Sequence, residues 1–449
     1  MKEYTYLETD LRRMGVYVED DGCTIGDDSN CSYLSWDITE DIISDQLYED
    51  YRERVKVKRT TLESYSFERN AGKLLMEDAE RIFNRTWKPE GYKNFKVFHP
   101  ERVISAPFYH DRIVEYWLTE RYIAPYVIPQ VIYENMACQK DKGPTKAHKY
   151  INNRLNDLYA LYESDFYFIK TDIEKYYDNL NHEVIKEKFS RMQELPRILL
   201  NNILDGWQCE DCYAKEMDPD GIYGIPKGTL PSQWIGIFYL DEVDWLIHDN
   251  NKCLGYVRYM DDIVAFFRTK KDANECILQI RNYLADNKMG IRLHPRKTII
   301  SPMKNGFTFC GFRYHFNGSG ILKKSIRIDR KKLIKNRYGK MRDNYYKGCL
   351  SDGDVERKKN GTEAYLKQGT NKKFIRYINH RYMIDEDRID KYANDGPPKK
   401  KHEKPSRKRR REKRKMMREK DIKTGFITEP DGQLSFLINK EVDNEKEKC

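Results

Sequence analysis

Two acidic clusters stand where short apolar runs should end. Asp172 directly follows the β-rich stretch Phe166–Thr171, and Asp261-Asp262 lies between the apolar runs Cys253–Val257 and Ile263–Phe267. Carboxylates at strand ends and hairpin tips are exposed on rigid supports. Three of them brought together cannot all stay ionised without cations. They would hold two Mg²⁺, one to activate a 3′-hydroxyl and one to clamp a triphosphate. The bland alternative is turn chemistry, since Asp-Asp is common at hairpin tips.

The elements needed to position these groups follow from periodicity. Apolar residues from Leu62 to Trp87 recur at helical spacing, and Phe95 to Ile104 alternates as a strand does. Helical patterns return at His110–Ile123 and, after Gly143-Pro144, at Lys146–Leu161. Next come the run ending at Asp172, a helix over Asn181–Phe189 and a long apolar helix over Leu230–Ile247. The hairpin carrying Asp261-Asp262 precedes a helix over Asp272–Asn287 and strands at Ile291–Leu293 and Ile299–Ile300. Residues 326 to 394 read as helical, and composition changes abruptly after Gly396-Pro397-Pro398.

With 449 residues the chain has room for two or three cooperating lobes. Its formal net charge of +10 is unevenly placed. Lys399 to Lys420 holds 14 Lys/Arg against 3 acidic residues, so the remainder is close to neutral. A basic segment of this kind suits a polyanionic partner through counterion release, or simply a solvated tail. Residues 1–50 are acidic and turn-rich and read as a poorly regular extension. No run of about 18 apolar residues is present to span a membrane, and the N-terminus lacks a signal-type apolar core. The 10 scattered cysteines then read as reduced thiols in a cytoplasm. Cys209 and Cys212 form one isolated C-x-x-C, more consistent with two loop thiols than with a metal knuckle.

Several segments carry a resemblance. Tyr259-Met260-Asp261-Asp262 looks like the signature tetrad of reverse transcriptases, and Asp172-Ile173-Glu174-Lys175-Tyr176-Tyr177-Asp178 resembles their first catalytic motif. Gly224 through Gln233 is similar to their Gly-rich motif. Leu293-His294-Pro295-Arg296-Lys297-Thr298 resembles the lysine motif, and Phe309-Cys310-Gly311-Phe312 the primer grip. Glu101 through Pro107 and Asp111-Arg112-Ile113-Val114 resemble the fingers of bacterial retron and group II intron enzymes. These seven segments run in the family's order across roughly residues 60–325.

The resemblance implies residue roles. Asp172, Asp261 and Asp262 would be the metal triad, with the Ile173 backbone carbonyl as a further ligand. Tyr177 would be an aromatic gate that crowds a 2′-hydroxyl, so that deoxynucleotides are preferred. Arg102 would hold the incoming triphosphate. Lys297 would be an acid for the leaving pyrophosphate, and Gly228 would let the backbone approach the nascent pair. Lys227 departs from the family, which often has Gln there. A Lys at that point would alter fidelity or add a phosphate contact. Arg112 reads as a structural anchor.

The implied architecture is α+β, a right-hand polymerase: extension 1–50, fingers 51–165, palm with a small antiparallel sheet 166–325, helical thumb 326–395, and a basic, largely disordered tail 396–449. The implied function is RNA-directed DNA synthesis with two Mg²⁺, deoxynucleotides, an RNA template and a primer or structured non-coding RNA. Ser232-Gln233 and Asn135–Gly143 resemble diversity-generating retroelement enzymes, and Ser232-Gln233 also resembles the "unknown group" reverse transcriptases of phage defence. The two lineages stay open, with an accessory protein possible in either. Other readings of the chain are a catalytically silent RNA-binding scaffold and a template-independent transferase.

Overall fold

A computed structural model describes residues 38–55, 62–98 and 101–384, and the short strands Phe426–Thr428 and Leu434–Phe436. Most of the acidic N-terminal extension and all of the basic stretch Lys399–Lys420 lie outside the described residues. The expectations attached to those segments lie there too. The chain divides into two compact units: residues 1–333 with 362–375, and residues 334–361 with 376–449.

The first unit mixes helices and antiparallel sheets. Helices α1 (Glu40–Val55) and α2 (Leu62–Phe83) precede a two-stranded ribbon, β1 (Tyr92–Val97) and β2 (Arg102–Pro107). The alternation read as one strand over Phe95–Ile104 is thus two antiparallel strands, with Phe95 opposite Ile104 across the turn. Helix α3 (Asp111–Leu118) continues through a π-turn at Thr119–Ile123 and a last turn at Ala124–Val127. Helix α4 spans Pro144–Tyr162, with Pro at its start, where the missing N–H costs nothing.

The central sheet has four strands in the order β4-β5-β3-β6: Cys253–Tyr259, Asp262–Phe267, Tyr167–Thr171 and Ile299–Pro302. Every pairing in it is antiparallel. Both faces are buried, which explains the near-continuous apolar run Ile263–Phe267. Ile169, Ile263, Ala265 and Phe267 join one core with helices α3, α5 (His182–Lys188), α6 (Glu194–Asp205), α7 (Leu230–Phe238) and α8 (Asp241–His248). Phe168, Val257, Val264 and Phe266 join the other, with Ile151, Leu155 and Leu158 of α4. Phe307, Phe309, Phe312 and Tyr314 of a second sheet pack into that same core. The second sheet is β7-β8-β9, Phe307–Phe309, Phe312–Phe316 and Leu322–Ile326. Helix α9 (Lys270–Asp286) carries an N-cap at Thr269, whose hydroxyl accepts from the Asp272 amide.

Three local expectations differ from what forms. The long apolar helix over Leu230–Ile247 is two helices, broken at Leu240 (φ −105°, ψ 13°). Tertiary hydrogen bonds occupy the break: Tyr239 Oη donates to the Met289 carbonyl and accepts from the Asn181 amide. Ile291–Leu293 forms no strand but a single bridge, Leu293 to Ile173. Helix α6 lies outside the helices expected from sequence although Leu199, Leu200, Ile203 and Leu204 recur at helical spacing, and α1 falls largely inside the segment read as irregular, because burial of Ile43 and Leu47 overrides a polar composition.

Helices α10 (Ile328–Tyr346), α11 (Asp352–Lys367) and α12 (Lys372–Arg381) agree with the helical reading where the residues are described, and each has residues in both units. Within the second unit, the Tyr338 and Tyr382 rings meet edge to face, and Arg342 stacks over Tyr382. No helix of the described residues is long and apolar enough to cross a membrane.

Candidate active site

The carboxylates meet at one end of the central sheet because of strand register. Thr171 pairs with Ile263, which places Asp172 beside the start of β5, where Asp262 is the first residue. Tyr259 pairs with Asp262, leaving Met260 and Asp261 as a two-residue hairpin loop. Met260 takes φ +56°, a left-handed conformation that a non-glycine residue adopts only when its surroundings enforce it.

The enforcing group is buried beneath the loop. Arg258 and Asp244 are both fully buried and paired: Nε and Nη2 of Arg258 donate to the two Asp244 oxygens at 2.6 Å each. Arg258 Nη1 also donates to the Met260 carbonyl at 3.0 Å, and Nη2 to the Ile237 carbonyl at 2.7 Å. Tyr256 Oη donates to Asp244 at 2.5 Å. Burial pushes the Asp244 carboxyl upward and the arginine opposes it. This charge pair ties the hairpin loop to helices α7 and α8, and leaving either partner alone would strand a buried charge.

The electrostatics of the acidic end follow from crowding. Burial and then the neighbouring Asp172 push Asp261 up to about 7, and the two carboxyls hydrogen-bond to each other. Asp262 is also raised by burial, and this is opposed by Lys170, whose ammonium donates to its Oδ1, and by the Cys310 backbone N–H. Lys297 Nζ donates to Asp172 Oδ2. Two lysines therefore balance the carboxylates, Lys170 at Asp262 and Lys297 at Asp172. Among the described residues no three His, Cys, Asp or Glu side chains converge at metal-ligating spacing. Asp172 and Asp261 come into contact, whereas Asp262 turns to Lys170. As a donor set, crowded hard oxygens that retain protons and recruit ammonium groups suit a divalent cation.

The Ile173 backbone is held in a short antiparallel bridge. Glu174 N donates to the Arg292 carbonyl and His294 N to the Asp172 carbonyl, flanking the Ile173–Leu293 bridge. In such a pair the middle residue turns its own C=O away from the partner chain. Its side chain is buried, as expected for a residue contributing only backbone.

Tyr177 sits in the short 3₁₀ turn Tyr176–Asp178, just after Lys175 in a left-handed conformation (φ +43°). An added Cβ on Gly236 would lie 3.3 Å from Tyr177 Oη and 3.5 Å from Met260 Cε, so helix α7 supports both the ring and the hairpin loop. The phenol is pushed up first by burial, with contributions from Cys138 and Asp261, and is opposed by Arg102. Arg102, exposed at the start of β2, therefore lies within electrostatic reach of the ring.

Lys227 and Gly228 both make contacts within the protein. Lys227 Nζ pairs with Asp178, 2.6 Å to Oδ1 and 2.7 Å to Oδ2. The Gly228 backbone approaches β2: a Cβ there would meet Ile104 Cγ2 at 2.7 Å and the Ser105 carbonyl at 3.2 Å, and φ is +132°. Arg112 Nε donates to the Pro107 carbonyl at 2.9 Å, consistent with its structural reading. Cys209 and Cys212 are free thiols, in keeping with the loop-thiol expectation.

Lys170, Asp178, Arg258, Asp244 and the Cys310 amide were not singled out from sequence. Arg258 carried a signal, being a charge in the apolar run Tyr256-Val257, but nothing local named Asp244 as its partner. The Cys310-Gly311 turn between β7 and β8 has φ +44° and +88°, a two-residue hairpin loop that aims its first amide at Asp262.

Residues 99–314 match the family model described as reverse transcriptase (RNA-dependent DNA polymerase). It is similar to the group II intron-encoded protein LtrA of Lactococcus lactis subsp. cremoris, at 19% identity over 309 residues, 54% of this chain and 48% of that protein. The chain thus spans about half the length of the curated relatives it matches. Among solved structures, apo telomerase from Candida tropicalis aligns with a TM-score of 0.37 and 16% identity, covering 53% of this chain and 49% of that one. Telomerase from Candida albicans in complex with a TWJ fragment of telomeric RNA aligns at 0.39 and 13% identity, covering 57% and 51%.

Proposed function

We propose that this chain is an RNA-directed DNA polymerase that copies an RNA template into DNA from deoxynucleotides. The observation that supports the proposal is the strand register that brings Asp172 and the Asp261-Asp262 loop to one end of the central sheet, with Lys297 on Asp172 and Lys170 on Asp262. The working architecture is a right-hand polymerase, with fingers at 51–165, a palm at 166–325 and a thumb at 326–395.

Asp172, Asp261, Asp262 and the Ile173 carbonyl would hold two Mg²⁺. When bound, the ions supply a 3′-hydroxyl of lowered pKa and neutralise charge on the triphosphate. The protein's own residues orient the substrates around that point. Arg102 takes the triphosphate through bidentate guanidinium contacts. Tyr177 sets a wall that a 2′-hydroxyl would strike. Lys297 holds a proton beside Asp172 and can hand it to the departing pyrophosphate. Gly228 supports the nucleotide pocket indirectly, by letting the Gly-rich segment lie against β2.

A place in a diversity-generating retroelement or in a phage-defence system is the biological setting proposed, in a bacterial cytoplasm and with a structured RNA or an accessory protein as partner. The resemblances at Ser232-Gln233 and Asn135–Gly143 support it. Primer extension with Mg²⁺, deoxynucleotides and an RNA template tests the activity, comparing wild type with an Asp261→Ala, Asp262→Ala double variant. Templated DNA that disappears in the variant is expected. A wild type that makes no product, or only homopolymer whatever the template, would overturn the reading in favour of a scaffold or a terminal transferase.

A further inference from the structure

The Gly-rich strip Gly224–Gly228 is stitched to two different elements. On one side Gly224 N donates to the Leu180 carbonyl at 2.9 Å and Ile225 N to the Tyr177 carbonyl at 2.9 Å. On the other, Ser105 N of β2 donates to the Lys227 carbonyl at 2.8 Å, and Gly228 lies flush against Ile104. Among the described contacts, the side-chain link between the strip and the Tyr177 turn is the Lys227–Asp178 ion pair.

The ammonium of Lys227 is thereby engaged by the residue adjoining Tyr177 in the same 3₁₀ turn. Both side chains are about one-third exposed or less, at 34% and 25%, so the pair is wet enough to form and dry enough to matter. Held in this way, the lysine links the Gly-rich strip to the Tyr177 turn. Its pull runs along the backbone from Asp178 to Tyr177, whose ring tip rests against Gly236.

We infer that Lys227 and Asp178 form a lock that positions Tyr177 and so sets the sugar selectivity of the nucleotide pocket. Lys227 acts as a positioning residue through Asp178, and the contact with the nucleotide belongs to Tyr177. The inference deepens the polymerase reading and rests on it.

The test is a double-variant cycle on the full chain, using steady-state primer extension with single nucleotides. Lys227→Met, Asp178→Asn, the double variant and the charge-swapped Lys227→Asp/Asp178→Lys are compared for dNTP and the matching rNTP. Each single change is expected to lower the dNTP-over-rNTP ratio of kcat/KM about 2- to 5-fold, mainly by raising KM for dNTP, the size expected for a partly exposed ion pair. The double variant should be no worse than either single one, and the charge swap should recover part of the ratio. A lysine that contacts triphosphate directly would behave otherwise. Lys227→Met would then weaken dNTP and rNTP alike, Asp178→Asn would leave the ratio unchanged, and the effects would add. That pattern in an active wild type would overturn the lock and leave the polymerase reading standing. A wild type without templated product would overturn both.

Discussion

Replacing Asp261 with Asn should make the protein more stable while abolishing its proposed activity. In the absence of metal, Asp261 is crowded by burial and by Asp172, which raise it from 3.8 to about 7. The folded chain therefore holds a proton that the unfolded chain releases between those values. Stability falls as pH rises from about 4 to about 7, and this loss is complete above about 7. A shift of about 3 units at about 1.36 kcal/mol per unit sets a ceiling of about 4 kcal/mol at pH 8. Coupling within the acidic cluster lowers the realised gain to roughly 2 kcal/mol. Asn keeps the volume and a donor for Asp172 while removing the charge, so the variant should melt about 2–4 °C higher at pH 8 in chelator. The assay is thermal unfolding from pH 5 to 8, with and without Mg²⁺. Wild type should lose stability with pH in chelator and regain it when Mg²⁺ is added. The Asn variant should show a flatter pH dependence and a smaller Mg²⁺ response. An Asn variant no more stable than wild type at pH 8, with the same pH slope, would refute the picture of a crowded acidic site relieved by cations.

Other outcomes follow from single contacts. Arg258→Met leaves Asp244 buried without its partner and frees the Met260 carbonyl; urea unfolding should show a loss of about 3–5 kcal/mol. In the same background, Asp244→Asn should recover part of that loss, since no unpaired charge then remains. Tyr177→Ala should raise ribonucleotide incorporation about tenfold or more, about 1.4 kcal/mol of discrimination, read by single-nucleotide extension with dNTP and rNTP. Gly228→Ala drives a Cβ into Ile104 at a φ of +132°, so stability should drop by about 1–3 kcal/mol, read by denaturant melts. Phe266→Ala opens the core between the central sheet and α4 and should cost about 3–5 kcal/mol in the same assay, with the acidic residues untouched.

The positions of the acidic residues were legible in the sequence because they depend on local order. A β-rich run ending in Asp172 and an Asp-Asp pair between two apolar runs state where strand-end carboxylates must be, and the fold leaves them half-buried rather than exposed. Period-two and period-3.6 patterns placed the strands and helices on either side of them. Even Arg112 could be read as an anchor, from its place on an apolar helix. What local order cannot state is which partner a side chain meets across the fold. Asp244 lies 14 residues before Arg258, on a different element, and Lys170 reaches Asp262 across 92 residues; only sheet register and helix packing bring these pairs together. The same holds for the break at Leu240, where hydrogen bonds from Tyr239 to Met289 and Asn181 override an apolar pattern that would otherwise continue as helix. Lys227 is the sharpest case. Its type and position in the chain marked it as unusual, but tertiary structure alone decided that its charge is spent on Asp178, because that carboxylate arrives from a turn 49 residues away.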